Sequence, residues 1–172
     1  MAEALGAALV RSDDFYAAHI PDAEWDSMSA AEKVADVIDR RRLHAEALGP
    51  LLRGEPANWH PFDFAGVRPD GTYPLCKEPV RCLPAPVVVL EGSYSSQPEI
   101  VHLVDLSVLV ESPQDARHRR VSAREDAVFL SSWHARWDEA EDYFFSQVRP
   151  KSSFDVVVVG ARRAKNPNPK LG

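Results

Sequence analysis

The chain has 172 residues, 45% of them hydrophobic and 27% charged, a size and balance that suit one globular domain with its own core. Twenty Lys and Arg against 26 Asp and Glu give a formal net charge of −6, which argues against a general nucleic-acid or membrane-surface binder. It has no apolar run long enough for a membrane-spanning helix and no basic start to the opening MAEALGAALV, so neither a span nor a signal peptide is expected and the default location is cytoplasmic. Cys76 and Cys82 fit no zinc-ligand spacing and read as two reduced thiols.

Residues 7–12 form a short apolar segment running into Asp13-Asp14-Phe15-Tyr16, the pattern of a strand that ends in a loop. Ser29 and Glu32 make a capping box. It opens a helical stretch expected to reach Leu52, with Val34, Val37 and Ile38 on one side. Gly49-Pro50 and Gly54 bend or end that helix. Residues 55–86 are rich in Pro, Gly and aromatics and carry no period, so they predict loops with a short hairpin, the kind of excursion that often forms a lid or binding segment.

Three β-branched runs follow: PVVVLE (86–91), LVDLSVLVE (103–111) and FDVVVVG (154–160). Continuous runs of this kind mark strands buried on both faces, as in parallel sheets. Ser112 and Pro113 suit the start of a helix that carries Arg117, Arg120 and Arg124 on one face. A further helix over about 131–147 has Trp133, Trp137, Ala140 and Phe144 as its apolar stripe. Strands alternating with helices predict an α/β fold with a mostly parallel sheet. Ligands of such sheets sit beyond the carboxyl ends of the strands. Asp13/Asp14, Glu91 and Glu111 all fall at such ends.

Five strings then occur in a telling order: RSDDFY (11–16), DRRRLHAEALGPLLRGEPANWHPFDF (39–64), VVVLEGSY (87–94), DLSVLVESPQDARHRRVSARED (105–126) and WDEAEDYFFSQVRPKSSFDVVVVG (137–160). In that order the chain resembles the uridine-kinase-like P-loop small-molecule kinases over nearly its whole length. The resemblance implies ATP-dependent phosphoryl transfer to a hydroxyl of a nucleoside or similar small molecule, with ATP and Mg²⁺ as cofactors. It implies no nucleic-acid polymer and no membrane as partner, and it leaves the oligomeric state open. By the same resemblance Asp13, with Asp14 as the alternative, is the catalytic carboxylate, and Asp13 with Glu91 is a magnesium-side ligand. Arg120 and Arg124 are the lid arginines that offset charge on the transferred group. Tyr16, Asp39, Phe62, Asp63 and Arg117 belong to the substrate side, along with the segments holding Phe15, Trp59, His60 and Arg68. The plain alternatives are a turn residue for Asp13, a solvated strand-end acid for Glu91, a solvated basic helix face for the arginines and ordinary core packing for the aromatics.

The family departs from this sequence in two respects. It carries a His shortly after the Phe62-Asp63-Phe64 element, where Val67 stands here, and its lid is longer and richer in Gly and Arg than the stretch from Asp126 to Ser132. It also begins with a strand, a G-x-x-x-x-G-K-[ST] loop and a helix, and MAEALGA matches only the end of that helix. No such loop occurs in this sequence. The expected architecture is therefore a P-loop-kinase-type parallel sheet flanked by helices, with its first, central strand and phosphate loop missing. It spans residues 1–160 as a single truncated domain, and residues 161–172 form a polar tail. Either the sequence is a fragment of a kinase, or it is a small-molecule-binding remnant without turnover.

Overall fold

The computed structural model describes residues 2–113 and 136–159. Helix α1 (Ala2–Leu5) leads into strand β1 (Ala8–Arg11), whose alternate residues Ala8 and Val10 are buried. The chain then makes a tight 3-10 turn over Ser12–Phe15 and continues through α2 (Asp22–Ser27) and α3 (Ala30–Asp36). The capping box forms as expected: the Ser29 N–H donates to Glu32 Oε2 at 2.9 Å and the Glu32 N–H to Ser29 Oγ at 3.3 Å.

The long helix expected to follow is broken after α3. The Ala17 N–H donates to Val37 O at 3.1 Å and the Asp39 N–H to Phe15 O at 2.7 Å. These bonds and the Tyr16–Ile38 bridge turn residues 37–39 out of the helix beside the turn after β1, and Val37 and Ile38 enter the core there. The helix restarts as α4 (Arg40–Arg42), passes through a π-helical stretch over Leu43–Leu48 and ends in α5 (Gly49–Leu52).

The 55–86 excursion contains the expected hairpin, with β2 (Ala57–Trp59) antiparallel to β3 (Val80–Cys82). Next come β4 (Val88–Glu91), α6 (Pro98–Val101), β5 (Val108–Glu111), α7 (136–143) with a π-helical extension over Phe144–Val148, and β6 (Val156–Val159). Trp137, Ala140 and Phe144 are buried, so α7 presents the stripe read from its sequence. Trp133, the arginines at 117, 120 and 124, the helix expected to carry them and the tail lie outside the described residues.

The class is mixed α/β with parallel strand pairs. β1 pairs with β4 from Ala8↔Val88 to Arg11↔Glu91, and β5 pairs with β6 from Val108↔Val156 to Glu111↔Val159. Among the described residues β4 is hydrogen-bonded to β1 alone and β5 to β6 alone. The expectation of burial on both faces fails for β5 and β6. Val108, Val110, Val156 and Val158 share one face of that pair and are 41%, 62%, 40% and 45% exposed. Parallel strands are buried when helices cover both faces, and among the described residues no helix covers this face. Among the described residues no helix is long and apolar enough to cross a membrane.

Candidate functional site: two carboxylates beyond parallel strand ends

The β1–β4 register places Arg11 beside Glu91, so the two strands finish level. Glu91 is the last residue of β4, and Asp13 stands two residues past the end of β1. Glu91 is exposed, and its 3.6 Å contact with Arg11 Nε is a surface pair that contributes little stability.

Gly92 explains how the two strand ends come so close. Its φ is +121°, and a Cβ there would lie 2.3 Å from Ser12 Oγ and 2.9 Å from Asp13 Oδ1. Only a residue without a side chain lets the backbone pass. Ser12 is fully buried, and its hydroxyl donates to Ser93 O at 2.9 Å.

Asp13 is pushed up from 3.8 to about 6, first by burial, then by the neighbouring charges of Glu91 and Asp14. The Ser12 hydroxyl and the Ser93 amide oppose this by favouring the charged form. A carboxyl group poised near neutral pH can accept a proton and later return it, which suits general-base chemistry.

Asp14 is employed differently. Its Oδ2 accepts the Trp59 indole N–H at 2.8 Å, and its backbone carbonyl accepts the Phe62 N–H at 2.8 Å. It therefore ties the segment after β2 to the turn after β1. Asp14→Ala leaves the indole without its acceptor and is expected to lower unfolding free energy by about 2 kcal/mol in urea titration. An unchanged midpoint would remove this bond from the forces holding the segment.

The substrate-side residues divide into two groups. Tyr16 and Phe62 come together: their ring centroids lie 5.8 Å apart, and Phe64 packs edge-on to Tyr16 at 5.6 Å. Phe62 also stacks on Tyr73 at 4.9 Å. Burial, then the Asp13 charge, pushes the Tyr16 phenol well above its ordinary range, so it stays protonated. Phe64 is half exposed and forms the open side of this aromatic wall.

Asp39, Asp63 and Arg68 are bound into local structure. Asp39 caps α4 by accepting the Arg42 N–H at 3.0 Å, and Asp63 accepts the Ala65 N–H at 3.0 Å. Arg68 Nη1 donates to Tyr73 O at 2.7 Å. His60 Nδ1 lies 2.8 Å from Cys76 O, and Phe15 is a core ring packed on Trp59 at 5.7 Å. Glu111, the third strand-end acid, pairs with Lys151 Nζ at 2.9 Å.

Three features escaped sequence reading. Ser12 and the Asp14–Trp59 bond lie inside or beside recognised strings, but nothing in those strings singles them out. Arg136 binds Asp22 and, at 2.7 Å, Asp26, while the Tyr73 hydroxyl also reaches Asp22 at 3.1 Å. This clamp joins α2, α7 and the 71–73 turn across more than 100 residues of chain, and no local pattern marks it.

Asp13 and Glu91 are the two carboxylates that could face one hard cation here. Among the described residues no group of three or more His, Cys, Asp or Glu gathers for a metal. Mg²⁺ commonly takes one or two carboxylates and completes its shell with water and phosphate oxygens, and Asp13 with Glu91 supplies that number. A cation there would also relieve the repulsion that raises Asp13. A triphosphate needs a cradle of backbone N–H groups, and this sequence has no G-x-x-x-x-G-K-[ST] loop to provide it.

Comparison with protein-family models and with curated proteins finds no match for this chain.

Proposed function

We propose that these residues are the acceptor half of a small-molecule kinase site, for transfer of a phosphoryl group to a hydroxyl of a nucleoside or similar compound. One observation carries the reading. Asp13, half-buried and raised to about 6, lies next to Glu91 beyond the level ends of two parallel strands. That is where open α/β sheets hold their ligands.

Asp13 takes the proton of the acceptor hydroxyl, which needs a carboxylate that is partly ionised and shielded from bulk water. Glu91, exposed at its strand end, faces the hard-cation side. The Tyr16–Phe62–Phe64 wall gives the acceptor an apolar surface beside the base. Arg120 and Arg124, with Arg117 toward the substrate, carry the role of offsetting developing negative charge. ATP with Mg²⁺ would supply the phosphoryl group. The family resemblance puts a strand and phosphate loop between the strands ending at Glu91 and Glu111. Among the described residues β4 and β5 each have one edge without a partner strand, which favours that placement.

The test joins a strand, phosphate loop and helix of the uridine-kinase-like type ahead of residue 1 and screens hydroxyl acceptors for ADP release. Acceptor-dependent ADP release that is lost in Asp13→Asn is the expected result. A folded chimaera with no such release across the screen would overturn the reading.

A second reading is an acceptor pocket that binds without turnover, which the aromatic wall of Tyr16, Phe62 and Phe64 would serve equally. Calorimetric titration of the 172-residue chain with Mg·ATP should show no binding tighter than millimolar. Micromolar affinity would mean that the triphosphate is held by groups other than a loop of that type.

A further inference from the structure

Among the described residues other than glycine, only Tyr94 has a positive φ, at +59°. Left-handed backbone is disfavoured for any residue with a Cβ and persists only where packing over-determines it. Tyr94 meets that condition. It is 4% exposed, its ring lies edge-on to Phe144 at 5.2 Å, and it sits beside Trp137 at 6.5 Å. Those two rings belong to the buried stripe of α7 and its extension.

The residues just before Tyr94 press on the candidate base. Ser93 accepts the Ser12 hydroxyl through its carbonyl, and its amide favours the charged form of Asp13. Gly92 leaves no room for a methyl group against Ser12 and Asp13. Three consecutive residues therefore connect the core face of α7 to the Asp13 carboxylate.

We propose that Tyr94 is a positioning residue for Asp13: locked between Phe144 and Trp137, it holds the Gly92–Ser93 turn that orients the carboxylate. The proposal rests on the reading of Asp13 as the working base, but its test requires no turnover.

Amide hydrogen exchange at Ser93, followed by NMR on the full 172-residue chain, supplies that test. Asn accepts left-handed backbone, so Tyr94→Asn removes the ring while sparing the φ. It is expected to speed Ser93 exchange about tenfold, the scale of one ordinary hydrogen bond. Asp13→Ala, which removes the acceptor oxygens, should do the same, and the double variant should lose no more than the larger single loss, because both act through one contact. Tyr94→Phe, which keeps the ring, should retain wild-type protection. Unchanged Ser93 exchange in a cooperatively melting Tyr94→Asn chain, or losses that multiply in the double variant, would overturn the proposal. Should Tyr94→Asn not melt cooperatively, Gly92→Ala takes its place. Its new methyl group must displace Ser12 or Asp13, and unchanged Ser93 exchange there would overturn the proposal equally. An acceptor screen that fails leaves these exchange rates as they are, so the kinase reading and the positioning role fail separately.

Discussion

Asp13→Asn should make the protein more stable at pH 7 while removing the phosphoryl transfer proposed for the chimaera. The folded chain holds this carboxyl at about 6 against an ordinary 3.8, because burial and the charges of Glu91 and Asp14 disfavour ionisation. The folded state thus binds the proton more tightly than the unfolded state. Stability falls as pH rises from about 4 to about 6, and the full cost of ionising the group is present above that window. Two pKa units correspond to about 3 kcal/mol. Partial exposure screens the charge, so about 2 kcal/mol is the expected gain when asparagine removes it. For a domain of this size that is a rise of roughly 5 °C in Tm. The gain should be present at pH 7 and vanish near pH 3.5, where the native aspartate is protonated in both states. Scanning calorimetry at the two pH values checks both halves. Equal gains at both would assign the effect to asparagine packing rather than to relieved charge. In the chimaera that carries an added phosphate loop, loss of the proposed base should cost a factor of about 10²–10⁴ in kcat. A residue that weakens the fold and is nonetheless kept charged is what a catalytic role predicts, whereas a mere turn residue would show no such opposition.

The parts of this molecule that sequence reading recovered are those governed by short-range pattern. β1, β4 and β6 begin and end close to their apolar runs, the Ser29–Glu32 box caps its helix, and Trp137, Ala140 and Phe144 face the core at helical spacing. The errors have a common cause in contacts distant along the chain. The long helix is interrupted because Phe15 and Ala17 claim backbone partners at residues 37–39, which no local propensity reveals. The 103–107 part of the third apolar run is not strand, because Ser107 instead exchanges bonds with Asp155, its side chain donating to Oδ2 at 2.6 Å. At the site, Asp13 and Glu91 were legible through their strand ends. The family resemblance places Asp39 and Asp63 on the substrate side, and in the structure each accepts a nearby backbone N–H. Asp and Asn make such local bonds so readily that their presence in a loop is weak grounds for a binding role.

Trp59→Ala should be the most damaging single change outside the candidate base. Trp59 is 2% exposed and the largest fully buried side chain among the described residues. Removing such a ring costs about 3–5 kcal/mol through lost burial and the cavity left behind. It also deprives Asp14 of the indole N–H at 2.8 Å. Against a total stability of about 5–15 kcal/mol, the variant should be marginal, with a urea midpoint lowered by a third or more. Trp59→Phe separates the two contributions. It keeps most of the packing on Phe15 and loses only the donor, so about 1–2 kcal/mol is expected. The same bond is lost in Asp14→Ala, so combining that change with Trp59→Phe should cost little beyond the larger single effect. Full additivity would mean that the two side chains act independently and that the indole bond contributes nothing. The consequence reaches the site, because Phe15 and Asp14 are two of the four residues in the turn that carries Asp13. β2, remote in sequence, is therefore part of what holds the proposed base in place, and Trp59→Phe should disturb the pH profile of the chimaera's proposed activity more than its affinity for the acceptor.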